Sequence, residues 1–175
     1  MATTQGLVII NTGHGKGKTT AAFGQALRAV GQGLQVCIIQ FIKGTTKSGE
    51  ALALATGFPG QVALHLAGTG FTWKQDKETV KKAAMAGWQL TREKIMSDAY
   101  DLIVLDELTY LITLGLVAEE EILDLFRARP QRLHLVITGR DATQGLIEYA
   151  DLVTEMRVIK HPFQKGIKAR KGIEF

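Results

Sequence analysis

Short apolar runs separated by helical patterns constrain the fold of this chain more than any other feature. The runs are GLVIIN at 6–11, LQVCIIQF at 34–41, QVALHLA at 61–67, YDLIVLD at 100–106, LHLVITG at 133–139 and DLVTEMRVI at 151–159. Strands that are apolar along most of their length are typical of a parallel sheet whose two faces are covered by helices. The sequence therefore predicts an α/β fold with a mostly parallel central sheet flanked by helices.

The segments between these runs predict the helices. Helical patterns cover about 18–30, 77–97, 107–114 and 118–129, the last stopped by Pro130. Residues 43–60 contain glycine and threonine and are predicted to be a mobile loop. The basic stretch 160–175 is predicted to be an irregular ordered tail or a lid.

Composition bounds the organisation and location of the chain. Its 175 residues, 46% of them hydrophobic, predict one domain over 1–175 that includes the basic tail. Lysine and arginine exceed aspartate and glutamate by 21 to 17, which suits an anionic small molecule or nucleic acid. A single cysteine, Cys37, indicates a reducing compartment. With neither a signal-peptide pattern nor a membrane-spanning run, a cytoplasmic protein is expected.

The stretch NTGHGKGKTT at 11–20 follows the first apolar run and resembles a phosphate-binding loop. The common pattern is G-x-x-x-x-G-K-[ST], but Thr12 stands where the first glycine is expected. In such a loop Lys18 would bridge phosphates and Thr19 would bind Mg²⁺. Loop amides and the start of the following helix would face phosphate oxygens. The alternative is a glycine-rich turn without a ligand.

A pair of acidic residues, Asp106 and Glu107, ends the apolar run DLIVLD. With a phosphate loop upstream, this pair is typical of a site that holds Mg²⁺ directly or through water. A helix N-cap is the alternative role for Asp106. Glu107 also stands where a base that activates water would lie, and Arg140 after VITG could contact a triphosphate or be solvated. The residues alone leave an ATP-binding transferase or hydrolase.

Several motifs in combination resemble the ATP:corrinoid adenosyltransferases of the CobA/BtuR type. They are TGHGKGKTTAAFGQALRAVGQG, VCIIQFIKG, GTGFTW, VLDELTYL, VITGR and KHPFQKGIKARKGIEF, and they extend from Gly6 to Phe175. The family loop reads T-G-N-G-K-G-K-T, so Thr12 and Lys16 belong to its normal form, whereas His14 replaces asparagine. Family members usually carry a longer segment before the first strand, whereas only MATTQ precedes Gly6 here. The alternatives left open are a less enclosed corrinoid, a corrinoid covered by another segment or subunit, and a shortened chain.

The resemblance implies a three-layer P-loop NTPase (RecA-like) fold and transfer of the 5′-deoxyadenosyl group of ATP to Co(I) of a corrinoid. It also implies Mg²⁺ or Mn²⁺, a homodimer and a reduced flavoprotein as electron donor. Neither nucleic acid nor a membrane is expected as a partner, because the basic tail has few interleaved aromatic residues and no apolar run is long enough to span a bilayer. The implied ATP-binding residues are Gly13, His14, Gly15, Lys16, Gly17, Lys18, Thr19, Thr20 and Arg28. The implied metal-binding residues are Thr19, Asp106 and Glu107. The residues expected to act in catalysis are Lys16, Lys18, Glu107 and Arg140.

The loop containing Phe71 and Trp73 is implied by the resemblance to contact the corrin ring and to displace the lower ligand of cobalt. Packing of the two rings over the sheet edge is the alternative.

Two other functions are left open by the residues. The first is ATP hydrolysis with Glu107 as the base. The second is nucleic-acid binding through the basic tail 160–171, which is disfavoured because few aromatic residues interleave its charges.

Overall fold

The computed structural model describes residues 5–42, 48–68 and 76–173. Its strands are β1 (Val8–Thr12), β2 (Val36–Gln40), β3 (Val62–Leu66), β4 (Leu102–Asp106), β5 (His134–Thr138) and β6 (Leu152–Glu155). Its α-helices are α1 (Lys18–Gly31), α2 (Gly49–Gly57), α3 (Lys77–Met96), α4 (Thr109–Thr113), α5 (Glu119–Ala128) and α6 (Gln144–Tyr149). A 3₁₀ turn, Pro162–Lys165, lies in the C-terminal tail.

The six strands form one sheet in the order β3-β2-β4-β5-β1-β6, and every neighbouring pair is parallel. The prediction of a mostly parallel sheet is confirmed, and all the described strands follow it. Because parallel strands end at the same edge, the segments after β1, β2, β4 and β5 meet there. Strand β5 lies between β1 and β4, so the end of β5 separates the glycine-rich loop from the acidic pair.

Two apolar layers cover the sheet, as expected for strands that are buried on both faces. One layer packs α1 and α2 against alternate residues such as Val36 and Ile38. The other packs α3, α4, α5 and α6 against the intervening residues, such as Cys37 and Ile39. The result is the three-layer P-loop architecture expected from the sequence. Burial raises the pKa of the Cys37 thiol to about 12, so this residue remains a protonated core side chain.

Three local features differ from the sequence predictions. Helix α2 lies inside the segment predicted to be a mobile loop, with the Ser48 hydroxyl accepting the N–H of Ala51 at its start. Helix α6 was not predicted; its N-cap is Thr143. Strand β6 covers only four residues because its one neighbour, β1, ends at Thr12, the register partner of Glu155. None of the described helices is long and apolar enough to cross a membrane.

Candidate active site

The glycine-rich loop connects β1 to α1 and needs its glycines for two different reasons. Gly13 and Gly17 have φ angles of 93° and 112°, in the left-handed region that side chains disfavour. Gly15 does not have such a φ angle but packs against another segment, as Gly13 also does: the Gly15 N–H donates to the Met156 carbonyl at 2.6 Å. A Cβ atom at Gly15 would lie 2.6 Å from that carbonyl oxygen. The loop is therefore held against the chain that follows β6.

Thr12 explains why the first glycine of the common phosphate-loop pattern is absent. It is the last residue of β1 and does not adopt a positive φ, so its backbone does not require glycine. Its hydroxyl accepts the N–H of Ala142 at 3.2 Å, and its carbonyl accepts the N–H of Met156 at 2.8 Å. Threonine at this position thus joins the start of the loop to the segments that follow β5 and β6.

Lys18 is the first residue of α1 and is only 8% exposed. Its Nζ donates a 2.7 Å hydrogen bond to the Gly15 carbonyl, which folds the side chain back over the loop. Burial lowers the pKa of the Lys18 ammonium, and Arg140 lowers it further, while Glu107 and Asp106 oppose the shift. A buried cation held above loop amides is suited to an anionic ligand.

Asp106 is fully buried at the end of β4 and accepts hydrogen bonds from three elements. Its Oδ1 accepts the hydroxyls of Thr19 at 2.8 Å and Thr138 at 2.7 Å, and its Oδ2 accepts Nε2 of Gln40 at 2.7 Å. These contacts join α1, β5 and β2 to β4. Asp106 therefore fixes the direction of the Thr19 hydroxyl instead of serving as the helix N-cap considered from the sequence; the residue before α4 is Leu108.

Glu107 adopts a φ of 65°, which is uncommon for a residue other than glycine. Its N–H donates to the Thr138 hydroxyl at 2.9 Å, and that hydroxyl donates in turn to Asp106. A backbone held in this sparsely populated region costs free energy and is found most often at binding and catalytic sites. This backbone conformation turns Glu107 out of the strand, and the residue lines a cavity at this edge of the sheet.

A cavity of about 540 Å³ lies at this edge of the sheet. The predicted site residues that line it are His14, Gly15, Lys16, Gly17, Lys18, Thr19, Thr20, Glu107 and Arg140. Lining residues that were not predicted are Ser48, Gly49, Glu50, His161, Gly172 and Ile173. The cavity is therefore bounded by the loop, by the start of α2, by the ends of β4 and β5, and by the tail.

Contacts around the cavity mouth involve two of the predicted residues. His14 is exposed, and its Nε2 lies 3.1 Å from Oδ1 of Asp141. Nζ of Lys16 donates to the Ile173 carbonyl at 2.6 Å. Lys16, which the common phosphate-loop pattern does not specify, thus contacts the tail.

Other predicted residues lie elsewhere. Gly13 adjoins the cavity through the loop, and Asp106 lies beneath it. Arg28 is in the last turn of α1, ten residues after Lys18 or about 15 Å along the helix, where it contacts Gln25. The structure does not bring Arg28 to the cavity of the same chain. Phe71 and Trp73 lie outside the described residues.

Gln40 and Thr138 are site residues that sequence reasoning missed. Both end strands adjacent to β4, and Gln40 is the direct register partner of Asp106. A polar residue at the carboxyl end of an otherwise apolar strand is the signal that could have identified them.

The donor set fits Mg²⁺ in a nucleotide complex. Because Thr19 donates its proton to Asp106, the lone pairs of its oxygen are available to a metal, and carboxylate and hydroxyl oxygens are the ligands Mg²⁺ prefers. In residues 5–42, 48–68 and 76–173, no group of three or more histidine, cysteine or acidic side chains could hold a metal by itself. A site of this kind needs ligand phosphates to complete it.

Comparison with known proteins gives consistent matches along almost the whole chain. A corrinoid adenosyltransferase of Pseudomonas aeruginosa PAO1 is 42% identical over 98% of this chain and 84% of its own length. The corrinoid adenosyltransferase CobA of Salmonella typhimurium LT2 is 43% identical, over 98% and 86% of the two chains. A corrinoid adenosyltransferase of Sinorhizobium sp. is 39% identical, over 98% and 81%.

Among solved structures, a KaiC-like protein of Pyrococcus horikoshii OT3 aligns with a TM-score of 0.47 and 14% identity, over 86% of this chain and 72% of that one. The fold assignment therefore depends on the strand order given above. The family model described as ATP:corrinoid adenosyltransferase BtuR/CobO/CobP matches residues 4–175, and the chain belongs to that family.

Proposed function

We propose that this chain transfers the 5′-deoxyadenosyl group of ATP to Co(I) of a corrinoid and releases inorganic triphosphate. Family membership gives the enzyme class, a corrinoid adenosyltransferase. The observation that carries the residue assignment is the position of Lys18, Thr19 and Glu107 around one cavity at the carboxyl edge of the sheet.

The reaction is a displacement in which the substrates supply the nucleophile and the leaving group. Co(I) of the reduced corrinoid donates its electron pair to C5′ of ATP, and a Co–C bond forms. The C5′–O bond breaks, and its electron pair goes to the departing triphosphate. No protein group has to remove a proton or attack the substrate. The protein positions C5′ against cobalt and stabilises the negative charge that develops on triphosphate.

The cations of the cavity are suited to stabilising that charge. Lys16 and Lys18 come from the loop, and Arg140 follows β5 on another side of the cavity. Amides of the loop other than that of Gly15, which donates to the Met156 carbonyl, would add donors that need no rearrangement during the reaction. Gly13, His14, Gly15, Gly17 and Thr20 are included in the proposed ATP site as loop or first-turn residues, whereas Arg28 is left out because of its distance along α1.

Mg²⁺ is proposed to bind with the nucleotide, and Mn²⁺ is an alternative of similar ligand preference. Thr19 would be the direct protein ligand, Asp106 would orient the Thr19 hydroxyl, and Glu107 would bind the ion directly or through water. Bound there, the ion would neutralise part of the charge on the triphosphate.

ATP hydrolysis with Glu107 as the base is the disfavoured alternative. Relatives at about 40% identity are corrinoid adenosyltransferases, and the family match covers nearly the whole chain. Glu107 and its strained backbone are equally compatible with a role at the metal. The two reactions differ in product, because hydrolysis gives ADP and phosphate without any corrinoid.

The family resemblance supports three further proposals: corrinoid contact by Phe71 and Trp73, a homodimer, and a reduced flavoprotein as electron donor. A cytoplasmic location stays a prediction from the sequence. The family's members act on small molecules, and neither a nucleic-acid partner nor a membrane partner is included in the proposal.

The experiment that tests the function is an anaerobic reaction with ATP, Mg²⁺ and chemically reduced cob(I)alamin, followed through the corrinoid absorbance spectrum. The proposal predicts a light-sensitive adenosylated product whose formation requires ATP. Absence of that product from a folded, ATP-binding protein would contradict the proposal.

A further inference from the structure

The tail brings to the phosphate cavity a histidine that belongs neither to the loop nor to the acidic pair. His161 immediately precedes the 3₁₀ turn Pro162–Lys165, is half-buried, and lines the cavity together with Lys16, Lys18 and Arg140. His161 lies 143 residues after Lys18 in the chain, so only the fold brings these two side chains to one cavity.

Two reciprocal hydrogen bonds fix the position of His161. Its Nδ1 accepts the N–H of Phe163 at 3.2 Å, and its own N–H donates to the side-chain oxygen of Gln164 at 3.3 Å. A ring nitrogen that accepts a hydrogen bond cannot carry the proton of the neutral imidazole. The neutral ring therefore carries its proton on Nε2, which is a hydrogen-bond donor. Within the described part of the chain, no residue accepts a hydrogen bond from this nitrogen.

A second contact holds the other end of the tail at the same cavity. Nζ of Lys16 donates to the Ile173 carbonyl at 2.6 Å, and Gly172 and Ile173 also line the cavity. The tail thus borders the cavity at two points, through His161 and through Ile173. His161 is accordingly placed by its own turn and by the contact between tail and loop.

We infer that His161 is a polyphosphate-binding residue, whose Nε2–H donates to a phosphate oxygen of ATP and of free triphosphate. His161 adds an N–H donor to a cavity lined by two lysines and an arginine, which outnumber the carboxylates of Glu50 and Glu107, and such a lining suits a polyanion. This inference rests on the proposed function only for the identity of the product; binding of the polyphosphate itself is independent of corrinoid chemistry.

The test is calorimetric titration of the full chain with inorganic triphosphate and, separately, with adenosine, in the absence of corrinoid. His161→Asn is the informative variant, because asparagine can keep the acceptor for the Phe163 N–H but lacks the Nε2 donor. Loss of a hydrogen bond to a charged ligand predicts triphosphate affinity about tenfold lower. Adenosine affinity should be unchanged.

Gln164→Ala is the matched control, since it removes the reciprocal contact of the turn without removing a group that lines the cavity. It should bind triphosphate as the wild type does, and thermal melts should show both variants folded. Wild-type triphosphate affinity in His161→Asn would overturn the inference. Equal losses in His161→Asn and Gln164→Ala would also overturn it, because the histidine would then act only through the turn.

The outcomes separate this inference from the proposed function. If the wild type adenosylates cob(I)alamin and His161→Asn binds triphosphate normally, the inference fails and the function stands. If the wild type forms no adenosylated product but His161→Asn loses triphosphate affinity, the inference stands and the function fails.

Discussion

The hydroxyl of Thr19 donates a 2.8 Å hydrogen bond to Oδ1 of Asp106, a residue 87 positions later in the chain. The same carboxylate oxygen accepts the Thr138 hydroxyl at 2.7 Å. The first turn of α1 and the ends of β4 and β5 are thereby joined beneath the cavity. Since Asp106 is fully buried, this arrangement fixes the direction of the Thr19 hydroxyl, whose oxygen is the proposed metal ligand.

Replacement of the buried carboxylate should destabilise the protein and impair nucleotide binding together. Asp106→Ala leaves two hydroxyls and the Gln40 amide without their buried acceptor, at a cost of about 3 kcal/mol in the free energy of unfolding. Urea unfolding measures the stability, and calorimetry measures Mg²⁺-dependent ATP affinity. Unchanged values of both would contradict the role given to Asp106.

Lys18 is expected to contribute to ATP affinity rather than to the stability of the fold. Lys18→Ala removes a charge-assisted contact to phosphate, which should weaken ATP or transition-state binding by about 1.5–3 kcal/mol. The comparison of kcat/KM for ATP between wild type and variant provides the measurement. A variant that is as active as the wild type would rule out the phosphate-loop interpretation.

Alanine substitutions at two glycines test whether ATP binding by the loop depends on its packing against Met156. Gly15→Ala would bring a methyl group to 2.6 Å from the Met156 carbonyl, so the loop must move and ATP binding should fall. Gly24→Ala is the matched control: it lies in α1 with nothing within 4 Å of a new Cβ atom, and alanine favours a helix by roughly 0.5–1 kcal/mol. Calorimetry with ATP and thermal melts compare them. Equal ATP affinity in both variants would show that the close approach is unimportant.

Glu107 should act at the metal rather than as a base. Glu107→Gln is expected to slow adenosyl transfer and to raise the Mg²⁺ concentration needed for half-maximal rate, because a neutral amide binds the ion more weakly than a carboxylate does. Rates measured across a Mg²⁺ series test this. A normal rate with a normal Mg²⁺ requirement would be evidence against the role.

Trp73 is predicted to matter most before cobalt is reduced to Co(I). Loss of the lower ligand, a σ-donor, makes Co(II) easier to reduce, so Trp73→Ala should slow the reaction that starts from Co(II) corrinoid more than the one that starts from Co(I). Parallel assays with the two starting forms supply the comparison. An equal decrease in both would rule out a role in displacing the lower ligand.

Two parts of the site, each of which lies within a short stretch of chain, could be predicted from the sequence. The loop from Gly13 to Thr19 follows a strand and opens a helix, and the acidic pair ends another apolar strand, so local pattern placed both at the same sheet edge. Gln40 and Thr138 act through contacts between neighbouring strands, and the strand order that creates those contacts is not written in any one segment.

Two other parts of the cavity were missed for different physical reasons. Helix α2 has a weak amphipathic pattern, because alanine and leucine occur around most of it, although Ser48 and Glu50 are ordinary residues for a helix start. His161 reaches the cavity only because the tail returns to the loop, a long-range contact that hydrophobic periodicity does not report.

The most direct test of the central claim is the identity of the phosphate product. Under anaerobic conditions with ATP and Mg²⁺, phosphorus NMR would compare reactions with and without cob(I)alamin. The proposal predicts triphosphate in an amount equal to the adenosylated corrinoid, and neither product without corrinoid. ADP and phosphate formed regardless of corrinoid would contradict it and would identify Glu107 as the candidate base of an ATP hydrolase.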